Sequence, residues 1–497
     1  MVSFVVNDFG GEVPRRNSRL LPNNMAEFAT NVDLAAGPLN GLPQLEFTID
    51  LTGTAPWPAR KAYRVPGPTS SDPTIWLPLP SEFSSVVRSP LTNDTLNRYY
   101  WTNPPGQPAA GAWWSTYAMI AAHTPPWNMG FIPVDPGIVL TATATGGDTS
   151  VPAITRSYTF TYIDSYGQES SPAAPSAPVD GQSDGTWTVS GLPTTVPSSP
   201  PGKNYPPPVH MRLYRTITGT STGGNFYFVV DIPFGSSTYV DTIPDTTVVN
   251  NNTLESTSWA PPLDSLDGLT AMPGGMLVGF SAGGNTVHFC EPDRPNAWPA
   301  GYDLSVIYPI VGFAVWQQSL VVLTQGYPAV GTGTTPATFD FSQLQAPEPC
   351  ISRGSIVNDL AGVYYASQNG LIMLNYFGMQ NQTLSNMTKN IWLNEYQAHT
   401  IIACRHRSQY LAIIGDGSGF MIDYTEQRMG ITHILPTGMI TSVWNDVYTG
   451  DAYMCANQHV FRWDSPTTPP SIFRWRSKEF YMPSPQSLGA CQISCDL

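Results

Sequence analysis

A hairpin recurs five times in the second half of this chain, and it limits the possible folds more than any other feature. Met276-Leu277-Val278-Gly279-Phe280 leads through Gly283-Gly284 into Thr286-Val287-His288-Phe289. Leu320-Val321-Val322-Leu323-Thr324 is followed by Gly326 and a later strand. Val363-Tyr364-Tyr365-Ala366-Ser367 runs through Asn369-Gly370 into Leu371-Ile372-Met373-Leu374. Tyr410 to Ile414 runs through Asp416-Gly417 into Gly419-Phe420-Met421-Ile422, and Ala452 to Ala456 runs through Asn457 into His459 to Trp463. The units start at 276, 320, 363, 410 and 452, in steps of 44, 43, 47 and 42. Gly, Asn and Asp at the turns tolerate the positive φ that tight hairpins require. One hairpin per period of about 40 to 50 residues predicts propeller blades. Asn369-Gly370 predicts a type I′ turn with both residues at positive φ.

Composition supports short strands. The 43 Gly and 49 Pro among 497 residues leave little room for long helices. Only 12% of residues are charged, while 14 Trp, 23 Tyr and 20 Phe argue against disorder. The length allows two or three domains. A balance of 22 basic against 36 acidic residues gives a net charge of −14, so the chain is not expected to grip nucleic acid. No window of about 18 apolar residues occurs, so no membrane span is expected. Met1 to Asp8 lacks a basic stretch followed by an apolar one, so no signal peptide is expected either. The six cysteines, at 290, 350, 404, 455, 491 and 495, form no C-x-x-C pair. They read as buried reduced thiols rather than a zinc site, in a chain made in the cytosol.

Five segments follow from the changes in pattern. Residues 1–45 are an N-terminal arm, with a single short helix expected at Met25 to Ala29 after an Asn24 cap. Residues 46–136 are a first propeller segment, in which Lys61 to Trp114 is expected to supply a sixth blade. Residues 137–262 carry short alternating runs, among them Arg156 to Ile163, Met211 to Arg215 and Phe226 to Asp231. About six or seven such strands predict an immunoglobulin- or fibronectin-like β-sandwich inserted between the first and second blades. Within it, Ser157 to Tyr162 alternates, which predicts one polar face and one packed face. Residues 263–483 are the remaining blades and 484–497 a C-terminal tail. The fold class is therefore all-β, a roughly six-bladed β-propeller with an inserted sandwich.

Chemistry is sparse. No catalytic, cofactor-binding or metal-binding residue is assigned. The histidines at 123, 210, 288, 399, 406, 433 and 459 have no metal-ligand spacing. Asp416-Gly417-Ser418-Gly419 reads as a hairpin turn, since it lacks the further acids of a calcium loop. In Glu291-Pro292-Asp293-Arg294-Pro295-Asn296-Ala297-Trp298-Pro299, Arg294 is expected to pair with Asp293 or Glu291, and Trp298 to anchor the loop. Arg474-Trp475-Arg476-Ser477-Lys478 is the densest basic spot. It reads as an aromatic strand with solvated charges, with phosphate contact as the alternative. The sequons at Asn93, Asn381 and Asn386 carry no weight without a secretion signal.

Several segments, in order, resemble virion proteins of bacteriophages. They are Phe9-Gly10-Gly11-Glu12-Val13-Pro14-Arg15, Leu20-Leu21-Pro22, Ala29-Thr30-Asn31-Val32-Asp33-Leu34 and Gly37-Pro38-Leu39. Further along come Tyr162-Ile163-Asp164-Ser165-Tyr166-Gly167-Gln168-Glu169 and Arg212-Leu213-Tyr214-Arg215-Thr216. The set continues with Phe289-Cys290-Glu291-Pro292, Ala297-Trp298-Pro299, Tyr365 to Leu371 and Trp475-Arg476-Ser477-Lys478. Together they are similar to phage tail nozzle proteins, also called tail tubular protein B. That resemblance implies a ring, usually a homohexamer, at the distal end of a short tail, with propeller and β-rich domains around a DNA channel. It implies other tail proteins, an adaptor or a tail fibre, as partners, and genomic DNA that passes without specific binding. It implies a place in the virion after synthesis in the host cytoplasm, no cofactor and no catalytic residue. Larger members continue well past the Arg-Trp-Arg-Ser-Lys segment, whereas this chain ends about 20 residues later. The alternatives are a propeller-type glycan- or receptor-binding tail protein and a polysaccharide hydrolase. The hydrolase would need paired carboxylates, to which nothing here points.

Overall fold

Five strands set the architecture, because nearly every residue in them is buried. They are Met276–Ser281, Ser319–Thr324, Gly362–Ser367, Gln409–Ile413 and Ala452–Ala456. A strand that is apolar on both faces must be covered on both, so each lies inside a sheet packed between other layers. The computed structural model describes residues 6, 8–34, 38–217, 224–423, 430–436 and 438–481. The chain divides into two units, Tyr63–Thr324 with Ala329–Leu344, and Met1–Ala62 with Gln325–Pro328 and Gln345–Leu497.

The first of these units holds three four-stranded antiparallel sheets. Blade 1 is Ser85–Arg88, Arg98–Asn103, Gly111–Thr116 and Trp127–Asn128. Blade 2 is Leu266–Met272, Met276–Ser281, Thr286–Phe289 and Leu304–Ser305. Blade 3 is Ile310–Trp316, Ser319–Thr324, Ala329–Thr332 and Asp340–Gln343. Tyr100 and Trp114 pack with Leu266 and Leu277 to join blades 1 and 2, and Val278 and Phe289 pack with Leu320 and Val322 to join blades 2 and 3.

Between blades 1 and 2 the chain forms eight strands with a core of their own. Thr141–Thr145, Thr186–Ser190 and Thr238–Asp241 make one sheet, and Tyr158–Asp164, Pro208–Thr216 and Phe226–Pro233 another. Ala153–Arg156 pairs with Val179–Gln182. Tyr158, Phe160, Trp187, Met211 and Leu213 fill the interior. Beside it, buried Arg156 and Arg215 share the carboxylates of Asp241 and Asp245, two cations balanced by two anions.

The other unit holds blade 4 (Val357–Asp359, Gly362–Ser367, Gly370–Asn375, Gly378–Asn381) and blade 5 (Ile402–His406, Gln409–Ile413, Gly419–Asp423, Ile431–Ile434). Blade 6 is Ile440–Asn445, Ala452–Ala456 and His459–Arg462, and its fourth strand is Glu46–Asp50 from the other end of the chain. Blade 5 is extended by Ala26–Thr30 and then by Arg474–Ser477. Apolar clusters again join neighbours, blade 4 to blade 5 and blade 5 to blade 6. The fold is all-β, made of propeller-type blades with a sandwich between the first two.

Four local expectations are corrected. Met25 to Ala29 is not a helix, since Ala26–Thr30 is a strand between Ile431–Ile434 and Arg474–Ser477. Strands on both sides satisfy the backbone groups of Ala26–Thr30, and that tertiary pairing outweighs the local cap signal at Asn24. Lys61–Val65 pairs with Ile75–Leu79, so the blade placed at Lys61 to Trp114 is Ser85 to Asn128 instead. Tyr158–Asp164 is buried on both faces. Its Thr159 and Thr161 hydroxyls lie under the following segment, donating to Ala173 O and Glu169 Oε1 at 2.7 Å each. The blade 4 turn is Gln368-Asn369, because Ser367 pairs with Gly370 and only Gly370 has positive φ, 145°. A turn with both residues at positive φ occurs in blade 6, at Asn457 (50°) and Gln458 (66°). The tail 484–497, with Cys491 and Cys495, and Gly37 lie outside the described residues.

Candidate functional site

The sequence segments singled out above come together at joints. The turn after Tyr158–Asp164 is built on Asp164, whose Oδ1 accepts from the backbone N–H of Tyr166 (2.8 Å) and Gln168 (2.9 Å). Its Oδ2 accepts from Gln168 Nε2 at 2.9 Å. Burial raises this carboxyl to about 6 despite those donors, which work in the opposite direction. The turn delivers Glu169 to a cleft of about 340 Å³, which Arg212, Tyr214, Phe228, Trp259 and Arg294 also line. Glu169 Oε1 accepts from Tyr214 Oη and Thr161 Oγ1, both at 2.7 Å. Arg212 forks onto Asp231 through Nε (2.8 Å) and Nη2 (3.0 Å), and its guanidinium lies 5.4 Å from the Phe228 ring. Asn296 Nδ2 donates to the Glu169 carbonyl at 3.2 Å, tying the Glu291–Trp298 loop to the sandwich. Such a cleft offers a polar ligand both charges and an aromatic wall.

Within that loop Trp298 is the expected anchor, buried, with its indole N–H on Pro295 O at 2.9 Å. Arg294 departs from expectation. Among the described residues it pairs with neither Glu291 nor Asp293, and its guanidinium stands 5.9 Å from the Trp259 ring. Tyr302 Oη takes Glu291 instead, at 3.0 Å, while the Glu291 and Arg294 backbones bridge. The Glu291 carboxylate is thus drawn to the phenol, and the Arg294 cation to an aromatic face.

The second joint brings the chain's two ends together. Trp475 Nε1 donates to Gly10 O at 3.1 Å, and its ring meets Phe9 edge-on at 5.0 Å. Gly11 lies where a Cβ would come within 2.6 Å of the Ile431 nitrogen, so only glycine allows this approach. Asn31 Oδ1 accepts from Leu435 N–H at 2.9 Å. Of the basic run, Arg476 pairs with Glu27 at 2.7 Å, Lys478 donates to Leu21 O at 3.0 Å, and Arg474 is exposed.

One constellation escaped the sequence reading. Ser281 Oγ lies 2.7 Å from His288 Nε2, and His288 Nδ1 lies 2.7 Å from Asp303 Oδ1. The carboxylate at Nδ1 favours the proton there and leaves Nε2 to accept from the hydroxyl. That is the order of an acyl-transfer triad. Here the three residues tie the second strand of blade 2 to the third and to the entry of the fourth, and the imidazole is only 6% exposed. A Ser and a His seven residues apart across a Gly-Gly hairpin were its one sequence signal, and Asp303 gave none.

His406 pairs with Asp464 at 2.9 Å and His433 with Glu12 at 3.3 Å. Among the described residues no group of three His, Cys, Asp or Glu side chains could hold a metal. Cys290, Cys350, Cys404 and Cys455 are free and buried, as expected. Burial pushes the Cys290 and Cys350 thiols up to about 12. No helix among the described residues is long and apolar enough to cross a membrane.

Fold and joints define a class, an all-β protein of propeller-type blades, in which one joint ties the sandwich to blade 2 and another ties the arm to blade 5. No protein-family model matches the chain, and no curated protein does. A solved streptogramin B lyase is 11% identical over 51% of this chain and 86% of its own, with a TM-score of 0.30. BamB from Moraxella catarrhalis is 11% identical over 78% of this chain and 98% of its own, with a TM-score of 0.28. The Pan2 WD40 domain of Neurospora crassa is 10% identical over 68% and 99%, with a TM-score of 0.30. Likeness this slight carries no argument about what the chain does.

Proposed function

We propose that this protein is a structural component of a bacteriophage tail, a ring-forming nozzle subunit that lines a channel for DNA. The observation that supports the reading is where the virion-like segments lie. Phe9 to Gly11, Asn31 and Trp475 join the arm to blade 5 and the last strand. Asn296, in the loop after the third strand of blade 2, holds Glu169 of the sandwich, which Arg212 braces from within the sandwich. Ser367 and Asn369 hold Glu348 in front of blade 4. Residues in such places fix the relative position of parts, which is what a load-carrying tail subunit needs. With a net charge of −14 per copy, a ring of them passes DNA without holding it.

Electron microscopy of the isolated protein tests the proposal. A ring with an open axial channel is expected, and it should not shift duplex DNA at about 0.15 M salt, where screening sets in beyond about 8 Å. Isolated single particles at every concentration would overturn it. A second reading, a glycan-binding tail protein, draws on the cleft beside Phe228 and Trp259. Binding of host surface glycan that is lost in Arg294→Ala would favour that reading instead.

A further inference from the structure

We infer that the outer edge of blade 5 is the contact by which one copy of this chain docks onto the sandwich of the next. The inference rests on the ring reading and adds the surfaces involved. Six of the chain's 22 Lys and Arg residues sit in two segments, Arg15, Arg16 and Arg19 near one end and Arg474, Arg476 and Lys478 near the other. The fold lays these segments side by side. Arg19 reaches Glu479 at 2.9 Å, Lys478 reaches Leu21 O at 3.0 Å, and Arg476 reaches Glu27 at 2.7 Å. In an otherwise acidic protein this makes a basic seam. Its acids are subdued, with Glu12 buried and Glu27 and Glu479 engaged by Arg476 and Arg19. Arg16 and Arg474 are exposed and have no side-chain partner among the described residues.

The seam is also an open edge. Arg474–Ser477 is the last strand of a six-stranded sheet and pairs on one side only, with Ala26–Thr30, among the described residues. Its outward Arg474 and Arg476 alternate with half-buried Trp475 and Ser477. An unpaired strand edge invites another chain unless something blocks it. Cations along it repel a second identical edge, so edge-to-edge pairing of two copies is disfavoured and an acidic surface is required.

The same chain supplies that surface. Asp148, Asp180 and Asp184 are exposed together at one margin of the sandwich. Asp148 N–H donates to the Asp184 carboxylate at 3.1 Å, and Thr155 holds Asp180 at 2.5 Å. No Lys or Arg among the described residues pairs with any of the three. A basic patch meeting a different, acidic patch makes a head-to-tail contact. Such contacts close into rings when the rotation allows. Charge complementarity of this kind sets register and excludes wrong partners.

The test is sedimentation velocity of the full chain at 0.05 to 0.5 M salt (roughly 14 to 4 Å of screening length), with charge-reversed variants. Arg16→Glu with Arg474→Glu, and Asp180→Arg with Asp184→Arg, should each weaken assembly about tenfold or more at low salt. Circular dichroism melting at a dilution where no sample assembles should show both variants still unfolding cooperatively, since none of the four side chains is buried. Mixing the two variants should restore assembly, because each reversed patch then faces its complement. Assembly unaffected by either variant overturns the inference and leaves the ring reading standing. Absence of assembly in the wild type at any salt overturns both. Loss in the arginine variant without rescue, together with wild-type binding of duplex DNA that the variant loses, makes the seam a phosphate site and also overturns the inference.

Discussion

The indole of Trp475 donates its hydrogen bond to the carbonyl of Gly10 across 465 positions of sequence. It closes a joint in which residues from both ends of the chain finish the sheet of blade 5. Trp475→Phe keeps the edge-on contact with Phe9 and loses only the bond, so it should cost about 1 kcal/mol. Trp475→Ala loses both and should cost about 2–4 kcal/mol, below the range for a fully buried Trp because this one is half-exposed. Urea midpoints measure both. A midpoint unmoved by Trp475→Ala would mean that the terminal strand is dispensable.

The blade turns separate two kinds of strain. An added Cβ at Gly370 would lie 2.3 Å from Thr383 Oγ1 and 2.5 Å from Asn381 Oδ1, and φ there is 145°. Gly370→Val should therefore cost about 1–3 kcal/mol. Gln458 is a non-glycine at φ 66°, so Gln458→Gly should stabilise by about 0.5 kcal/mol, after losing a weak bond to Ala59 N–H. Thermal melting should move down for the first and up for the second. The reverse pattern would place the turns elsewhere.

What was legible and what was not follows from burial. The hairpins read in the sequence fall on the middle strands of blades 2 to 6, continuous apolar runs such as Val363 to Ser367 and Leu371 to Leu374. The outer strands carry mixed residues, as in Asp340–Gln343 and Gly378–Asn381, and have no periodic signal. Glu46–Asp50 could not be placed, because its partner lies over 400 residues away and pairing at that distance leaves no local trace. Ala26–Thr30 was misread for the same reason. At the candidate sites, Trp298 as an anchor was legible, but the pairing of Ser281 and His288 with Asp303 depends on three strands meeting. The Asn369-Gly370 turn was displaced by one residue, since the local sequence fits either position and Thr383 and Asn381, from the next strand and turn, decide it.

Asp164 makes stability depend on pH. Its folded carboxyl titrates at about 6, above the ordinary 3.8, chiefly because it is buried. Below about pH 4 both folded and unfolded states hold the proton, and no penalty arises. Between about 4 and 6 only the folded state holds it, so stability falls as pH rises, by up to about 3 kcal/mol, and is level above. Asp164→Asn keeps an acceptor for Tyr166 and Gln168 and removes the titration. Wild type should therefore lose ground to the variant between pH 4 and 7. A difference that is constant across that range would show the carboxyl ionised throughout.

The buried thiols should be inert in the folded chain. Burial raises Cys290, Cys350, Cys404 and Cys455 alike, so little thiolate exists at pH 8. With Cys491 and Cys495 replaced by Ser, Ellman's reagent should titrate none in native protein and all four in denaturant. Rapid native reaction would mean that a blade opens often enough to expose its core.

The Ser281–His288–Asp303 chain has the order of a catalytic triad, yet its position describes a clasp. Its three residues lie on or beside successive strands of one sheet, and the ring between them is nearly inaccessible. A general base must reach a substrate proton as well as a protein hydroxyl, and a buried imidazole bonded on both nitrogens is poorly placed to do so. As a clasp, it makes His288→Ala costly, because the change leaves Ser281 and Asp303 unpaired and opens a cavity, for about 2–4 kcal/mol. Ser281→Ala removes one bond and should cost about 1 kcal/mol. Asp303 is one-third exposed, so Asp303→Asn should cost less than His288→Ala. Urea denaturation ranks the three, and p-nitrophenyl acetate tests for turnover in the same samples. The expected result is a stability ranking with no ester hydrolysis above the Ser281→Ala background. Hydrolysis by wild type that both Ser281→Ala and His288→Ala abolish, without loss of fold, would show that blade 2 carries an active centre.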